Sequence, residues 1–193
     1  MAVQSTFKNM ALCLSVICLV CSALLAGVYC LTAEPIATAS KAKTAQAIAR
    51  VTPEFETLSD IQSIEMDGNE YPYYIVYDKE GNISGYAVQS STSGFGGQLT
   101  LMVGLTPEGN VWDTSVLSHS ETPGLGAKCT DPSFSDQFKN WNTAEKTLVV
   151  KKDGGDVDAI TASTITSRAY TLAVANAVKA QMIIQTLGGN DNE

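Results

Sequence analysis

The chain has 193 residues and a formal net charge of −8, enough length for one packed domain with an appendage but cramped for two. Its acidic residues are scattered from Glu54 to Asp158 with no basic stripe among them, which excludes a nucleic-acid partner. Of the five cysteines, four fall in or at the edge of one apolar stretch and Cys129 stands alone, so no disulfide framework is present.

From Met10 to Leu31 there is no charged residue. At about 22 residues and ~1.5 Å of rise each, this stretch crosses a hydrocarbon core of ~30 Å. A cleaved signal peptide would have a shorter apolar core and a small-x-small site, and Leu31-Thr32-Ala33 places a large residue at the first small position. Residues 10–32 therefore read as a retained transmembrane helix. The nearest flanking charge, Lys8, favours a short cytoplasmic N-terminus over residues 1–9 and a soluble body on the extracytoplasmic side. Within the span, Cys18 and Cys21 share a helix face, open to a metal or cluster contact but more commonly small apolar fillers.

Thr32-Ala33-Glu34-Pro35 reads as a break and restart, with proline in the first turn of a new helix. Residues 33–52 follow as a linker or stalk helix that Thr52-Pro53 ends. In the body, 53–187, Tyr71 to Tyr77 and Ile83 to Gln89 form a hairpin about the turn Lys79-Glu80-Gly81-Asn82. Gln98 to Leu105 and Asn110 to Leu117 are two more strands joined by Thr106-Pro107-Glu108-Gly109, making an antiparallel meander. Ser118 to Lys128 has no period and is an ordered functional loop or a mobile tip, while Ser133 to Trp141 is a short helix. Leu148 to Val150 and Val157 to Ile160 are short extended pieces about Gly154-Gly155. From Thr166 to about Leu187, Tyr170, Ala173, Val174, Ala177 and Ile184 share one helical face, opposite Arg168, Asn176 and Lys179. That face packs on the sheet. Residues 188–193 are a polar tail, and Tyr86, Trp112 and Trp141 belong to the core.

Three segments bear on chemistry. Thr161, Ser163, Thr164, Thr166 and Ser167 put five hydroxyls within seven positions just ahead of the long helix. Such a run either caps the helix or, with the helix-start amides, cradles a phosphate. In His119-Ser120-Glu121-Thr122-Pro123-Gly124-Leu125-Gly126, proline fixes one dihedral and the glycines free others, which suits a surface turn or a backbone wrapped on a planar ligand. Gly94-Phe95-Gly96-Gly97 precedes a strand instead of opening a helix, so it is no dinucleotide loop; it permits a close backbone or ligand approach. No zinc, iron-sulfur or P-loop motif occurs in the body, so redox chemistry there requires an organic cofactor.

The order of anchor, Gly-rich strand pair, Glu121-Thr122-Pro123-Gly124-Leu125-Gly126 and Asp158-Ala159-Ile160-Thr161-Ala162-Ser163-Thr164 resembles the FMN-binding domain family with FMN esterified to threonine through its phosphate. The family pattern is Asp-x-x-Ser/Thr-Gly-Ala-Thr/Ser, from which this chain departs at Ala162 and Ser163. The anchor, with Glu34-Pro35-Ile36, is similar to the G subunit of Rnf-type ion-translocating ferredoxin:NAD oxidoreductase complexes. The C subunit of sodium-translocating NADH:quinone reductase, or a membrane-anchored ligand-binding module, is the alternative. The resemblance implies an α+β fold, a transmembrane helix followed by a mainly antiparallel sheet packed by helices. It also implies an electron-relay subunit of the bacterial inner membrane that has no catalytic triad or metal of its own. Thr164 would carry covalent FMN; Thr161, Ser163 and Thr166 would neutralise its phosphate; Glu121, Thr122, Gly124, Leu125 and Gly126 would line its ring or ribityl chain. Implied partners are the other membrane subunits, lipid, and a flavin transferase that reads Asp158.

Overall fold

The computed structural model describes residues 6–188, so the first residues of the expected cytoplasmic segment and nearly all of the polar tail lie outside it. The chain divides into two compact units, Met1–Lys43 and Thr44–Glu193.

The first unit is helical from Phe7, and the helix is assigned through to Val51 (α1). The expected break at Thr32–Pro35 is absent, because Pro35 lies inside α1. Thr32 explains why. Its Oγ1 donates backward to the Val28 carbonyl at 2.8 Å instead of capping a new helix, and Thr38 does the same to Glu34 at 3.0 Å. Proline then removes one backbone donor without ending the helix, as apolar spans tolerate.

The second unit opens with the last turns of α1, where Ala47, Ile48 and Val51 are buried. Six strands follow: β1 (Thr57–Leu58), β2 (Gln62–Met66), β3 (Asn69–Tyr77), β4 (Ile83–Ser93), β5 (Gln98–Leu105) and β6 (Val111–Ser118). They form one antiparallel sheet in the order β1-β3-β4-β5-β6, with β2 also on β3. The meander stands as expected. β1 and β2 are short, polar and largely exposed edge strands that carry little apolar alternation to read.

Alternation along β5 builds the layers. Leu99, Leu101, Val103 and Leu105 face the main core, and Met102 faces the other side with Ala87 and the end of α1. Both faces of β5 are thus covered, which is why seven of its eight residues are buried. Gly104 permits the second layer, since a Cβ there would run into the Val51 carbonyl.

The long C-terminal helix, Thr164–Gly188, begins two residues earlier than its periodicity suggests (α3, with α2 the single turn Pro132–Ser135). Its buried face is the expected one, Tyr170, Ala173, Val174, Ala177 and Ile184. Phe134 and Phe138 pack edge-on and stacked against Tyr170, whose hydroxyl shares a 2.7 Å hydrogen bond with Thr114 on β6. At the far end Gln181 donates to the Thr106 carbonyl at 2.8 Å, tying α3 to the β5–β6 turn. Tyr86 and Trp141 lie in the core, but Trp112 does not; it points outward between the buried Val111 and Asp113, as alternation along β6 requires.

Candidate functional site

The site forms where the β4–β5 turn, the loop after β6 and the start of α3 meet. Glu121 holds the three together. Its carboxylate is buried; Oε1 accepts the Phe95 amide at 2.8 Å and Oε2 accepts the Thr166 hydroxyl at 2.9 Å. Its own amide donates to Nδ1 of His119 at 3.2 Å. The glycines make room for it. A Cβ at Gly94 would meet Oε1, one at Gly126 would meet Oε2 and the Thr166 hydroxyl, and one at Gly96 would meet the Ser120 carbonyl. Gly94 N–H closes the turn on the Gly97 carbonyl at 2.8 Å, so this glycine run is a close-packing device. The loop folds back through the amides of Leu125 and Ala127 onto the Thr122 carbonyl, with Gly124 in the left-handed region.

The entry to α3 is a tight turn. Ser163 N–H donates to the Ile160 carbonyl at 3.0 Å, and Ser167 Oγ accepts the Ile160 amide at 2.9 Å while donating to the Ser163 carbonyl at 3.0 Å. Ala162 sits at φ +62°, a left-handed conformation that glycine adopts without strain. Past this turn the amides of Thr164, Ile165 and Thr166 have no acceptor among the described residues, as for any helix start. Thr164 is half-buried, and its Oγ1 accepts a 3.1 Å hydrogen bond from Lys152 Nζ.

These parts enclose a cavity of about 380 Å³ lined by Phe95, Glu121, Thr122, Leu125, Gly126 and residues 162–166. Its volume falls in the range of about 300–1,000 Å³ typical of small-molecule sites. Phe95, Leu125 and Ile165 present exposed apolar side chains around it, while hydroxyls and free amides lie at the helix start. A flat apolar body fits the rim and an anionic end fits the helix start. A larger cavity of about 600 Å³, between Ala49–Glu56 and Asp78–Glu80, is lined by the carboxylates of Glu54, Glu56, Asp78 and Glu80, which outnumber the cation Lys79 beside them. Those carboxylates would repel a phosphate.

Of the expected site residues, Glu121, Thr122, Leu125, Gly126, Ser163, Thr164 and Thr166 converge on the smaller cavity. Thr161 and Gly124 do not. Thr161 lines a neighbouring hollow with Asp158 and Gln137, and Gly124 serves the loop's backbone only. Thr166 differs from expectation as well: its hydroxyl proton is committed to Glu121, so it ties the wall together instead of facing a phosphate. Sequence reading did not single out Phe95, Ile165 or Lys152, and it held Ser167 only as one of five crowded hydroxyls, not as the bond that closes the turn. Phe95 was legible only as part of a glycine turn open to ligand approach, and Lys152 gives no signal because chain folding alone brings it to Thr164.

Residues 94–179 match the FMN-binding domain family, and residues 1–51 match the RnfG N-terminal region. The G subunit of the ion-translocating oxidoreductase complex of Methanosarcina acetivorans is 34% identical over 167 residues, 84% of this chain and 88% of its own. The chain belongs to the G-subunit family of ion-translocating oxidoreductase complexes. The G subunit of the proton-translocating ferredoxin:NAD(+) oxidoreductase complex of Clostridium ljungdahlii is 32% identical over 86% of each chain. Among solved structures, the C subunit of the Na(+)-translocating NADH-quinone reductase from Parabacteroides distasonis is 22% identical, with a TM-score of 0.49 over 73% of this chain and 81% of that one. In this member of the G-subunit family, the FMN-binding match runs from the glycine turn into α3 and so encloses every residue that lines the cavity. As befits the family, α1 is long and apolar enough to cross a membrane, and the protein is membrane-anchored.

Proposed function

We propose that this chain is the flavin-carrying relay of an ion-translocating ferredoxin:NAD oxidoreductase, with FMN esterified to Oγ1 of Thr164. The observation that carries the reading is the position of Thr164: it lines the cavity at a helix start whose first three amides have no acceptor among the described residues, with a lysine ammonium on its hydroxyl.

When bound, FMN supplies one- and two-electron redox chemistry. The chain's residues hold and orient it. Thr164, the helix-start amides and Ser163 take the phosphate end; Phe95, Leu125 and Ile165 lie against the apolar body and exclude water from one side. Glu121 fixes the walls relative to one another through Phe95 and Thr166. No general base is required of the chain, and no independent catalytic site is assigned to it.

Attachment is a group transfer without redox change. Thr164 Oγ1 bonds to the flavin-side phosphorus of a flavin dinucleotide, the phosphoanhydride P–O bond breaks, a mononucleotide departs and the hydroxyl proton goes to water. A flavin transferase reading the Asp158 segment performs it. Asp158 is exposed, held by Lys151 at 2.7 Å and through its backbone by Gln137, and so stands ready for such a reader.

Residues 10–32 cross the bacterial inner membrane once, in contact with lipid, with residues 1–9 in the cytoplasm. Residues 33–52 link the span to the FMN-binding body, 53–187, on the extracytoplasmic side, where neighbouring membrane subunits exchange electrons with it. The apolar composition of α1 and the family match support this arrangement. The test is in-gel fluorescence of the denatured chain co-expressed with a flavin transferase. A fluorescent wild-type band and a dark Thr164→Val band are expected; equal fluorescence in both would refute the choice of acceptor.

A further inference from the structure

Lys152 sits in a single 3₁₀ turn, Lys151–Asp153, and each residue of that turn grips the segment around Thr164. Lys151 Nζ reaches Asp158 at 2.7 Å, Lys152 Nζ reaches Thr164 Oγ1 at 3.1 Å, and Asp153 holds Arg168 through two bonds of 2.6 and 2.7 Å. Asp158 opens the hydroxyl-rich stretch and Arg168 follows the first turn of α3, so the turn clasps the stretch at its start, middle and end. Backbone bonds shape the clasp, with Lys151 N–H on the Val157 carbonyl at 2.8 Å and Asp153 N–H on the Val150 carbonyl at 2.8 Å.

The three neighbouring cations differ in what they face. Lys151 and Arg168 are each paired with a carboxylate. Lys152 has no carboxylate within ion-pair distance among the described residues and points its ammonium at a hydroxyl instead. The same cavity contains the Glu121 carboxylate, which disfavours any incoming anion. A cation is therefore needed close to Thr164, and its two neighbours are already neutralised.

The geometry points to Lys152 as a positioning residue for flavin attachment, an inference that rests on Thr164 being the acceptor. Its ammonium orients Oγ1 before the transfer and neutralises the phosphodiester formed there afterwards. It takes no proton and touches no redox step. Because the lysine is exposed, its worth is that of a solvent-screened charge pair.

The test is a time course of flavin attachment in the full membrane-bound chain co-expressed with a flavin transferase, read as the mass of the Thr164 peptide. Lys152→Gln is expected to lower the initial rate roughly fivefold, as an exposed charge pair would. Lys152→Glu is expected to lower it further, and Lys152→Arg to restore most of it, with melting of the solubilised chain unchanged throughout. Attachment to Lys152→Gln at the wild-type rate would overturn the inference and leave the acceptor reading intact. A slow rate accompanied by lowered melting and not restored by arginine would overturn it too. An unmodified Thr164 in the wild-type chain would overturn both.

Discussion

Glu121 Oε2 accepts a 2.9 Å hydrogen bond from Thr166 Oγ1, a buried bond across 45 positions that fastens the loop after β6 to the first turn of α3. Thr166→Val removes the donor and leaves a carboxylate oxygen buried without it, a loss of about 1–3 kcal/mol. Chemical denaturation of the solubilised chain should register that loss. Thr166→Ser keeps the hydroxyl and should stay close to wild type.

Ala162 occupies φ +62° immediately before Ser163 and Thr164. Ala162→Gly relieves the steric penalty of the left-handed region, about 1–2 kcal/mol, against a smaller entropic gain of the unfolded chain. The variant should melt higher than wild type. A lower melting temperature would show that Ala162 contributes a contact worth more than the strain.

Gly104 lies where α1 meets β5, and a Cβ there would run into the carbonyl of Val51. Backbone cannot swing aside as a side chain can, so Gly104→Ala forces the end of α1 off the sheet at a cost of about 1–3 kcal/mol. The drop should appear in thermal melting. Gly124→Ala, with open space around its Cβ position, should be limited to the strain of φ +75°.

Cys129 is fully buried, and burial first, then the charge of Glu121, pushes its thiol up from 9.0 to about 11. A group whose pKa is raised on folding contributes stability below its unfolded value and loses it as pH rises through the folded value. Stability should therefore decline between about pH 9 and pH 11, by roughly 2–3 kcal/mol from this group. Cys129→Ala should flatten that decline. In the native chain at pH 8, thiol reagents should leave Cys129 unlabelled until denaturant is added.

What could be read from sequence tracks how local the cause is. The core face of α3 and the strands β3 to β6 follow from periodicity, and the acceptor segment follows from hydroxyls crowded ahead of a helix. The continuity of α1 through Pro35 did not, because a threonine followed by a proline reads locally as a cap and restart, whereas Thr32 bonds backward to Val28 within an unbroken helix. Nor did the division of labour among the hydroxyls: Thr166 and Ser167 are used by Glu121 and by the turn, which only tertiary packing decides. Lys152 reaches Thr164 through the fold of a turn with no sequence signature of its own.

Peptide mass mapping of the full chain, purified after co-expression with a flavin transferase, decides whether Thr164 carries the flavin. The expected result is a gain of one FMN less one water on the peptide containing Thr164, with fragment ions assigning it to that residue and no gain in Thr164→Val. An unmodified Thr164 peptide, or a gain assigned to Thr161, Ser163 or Thr166, would contradict it.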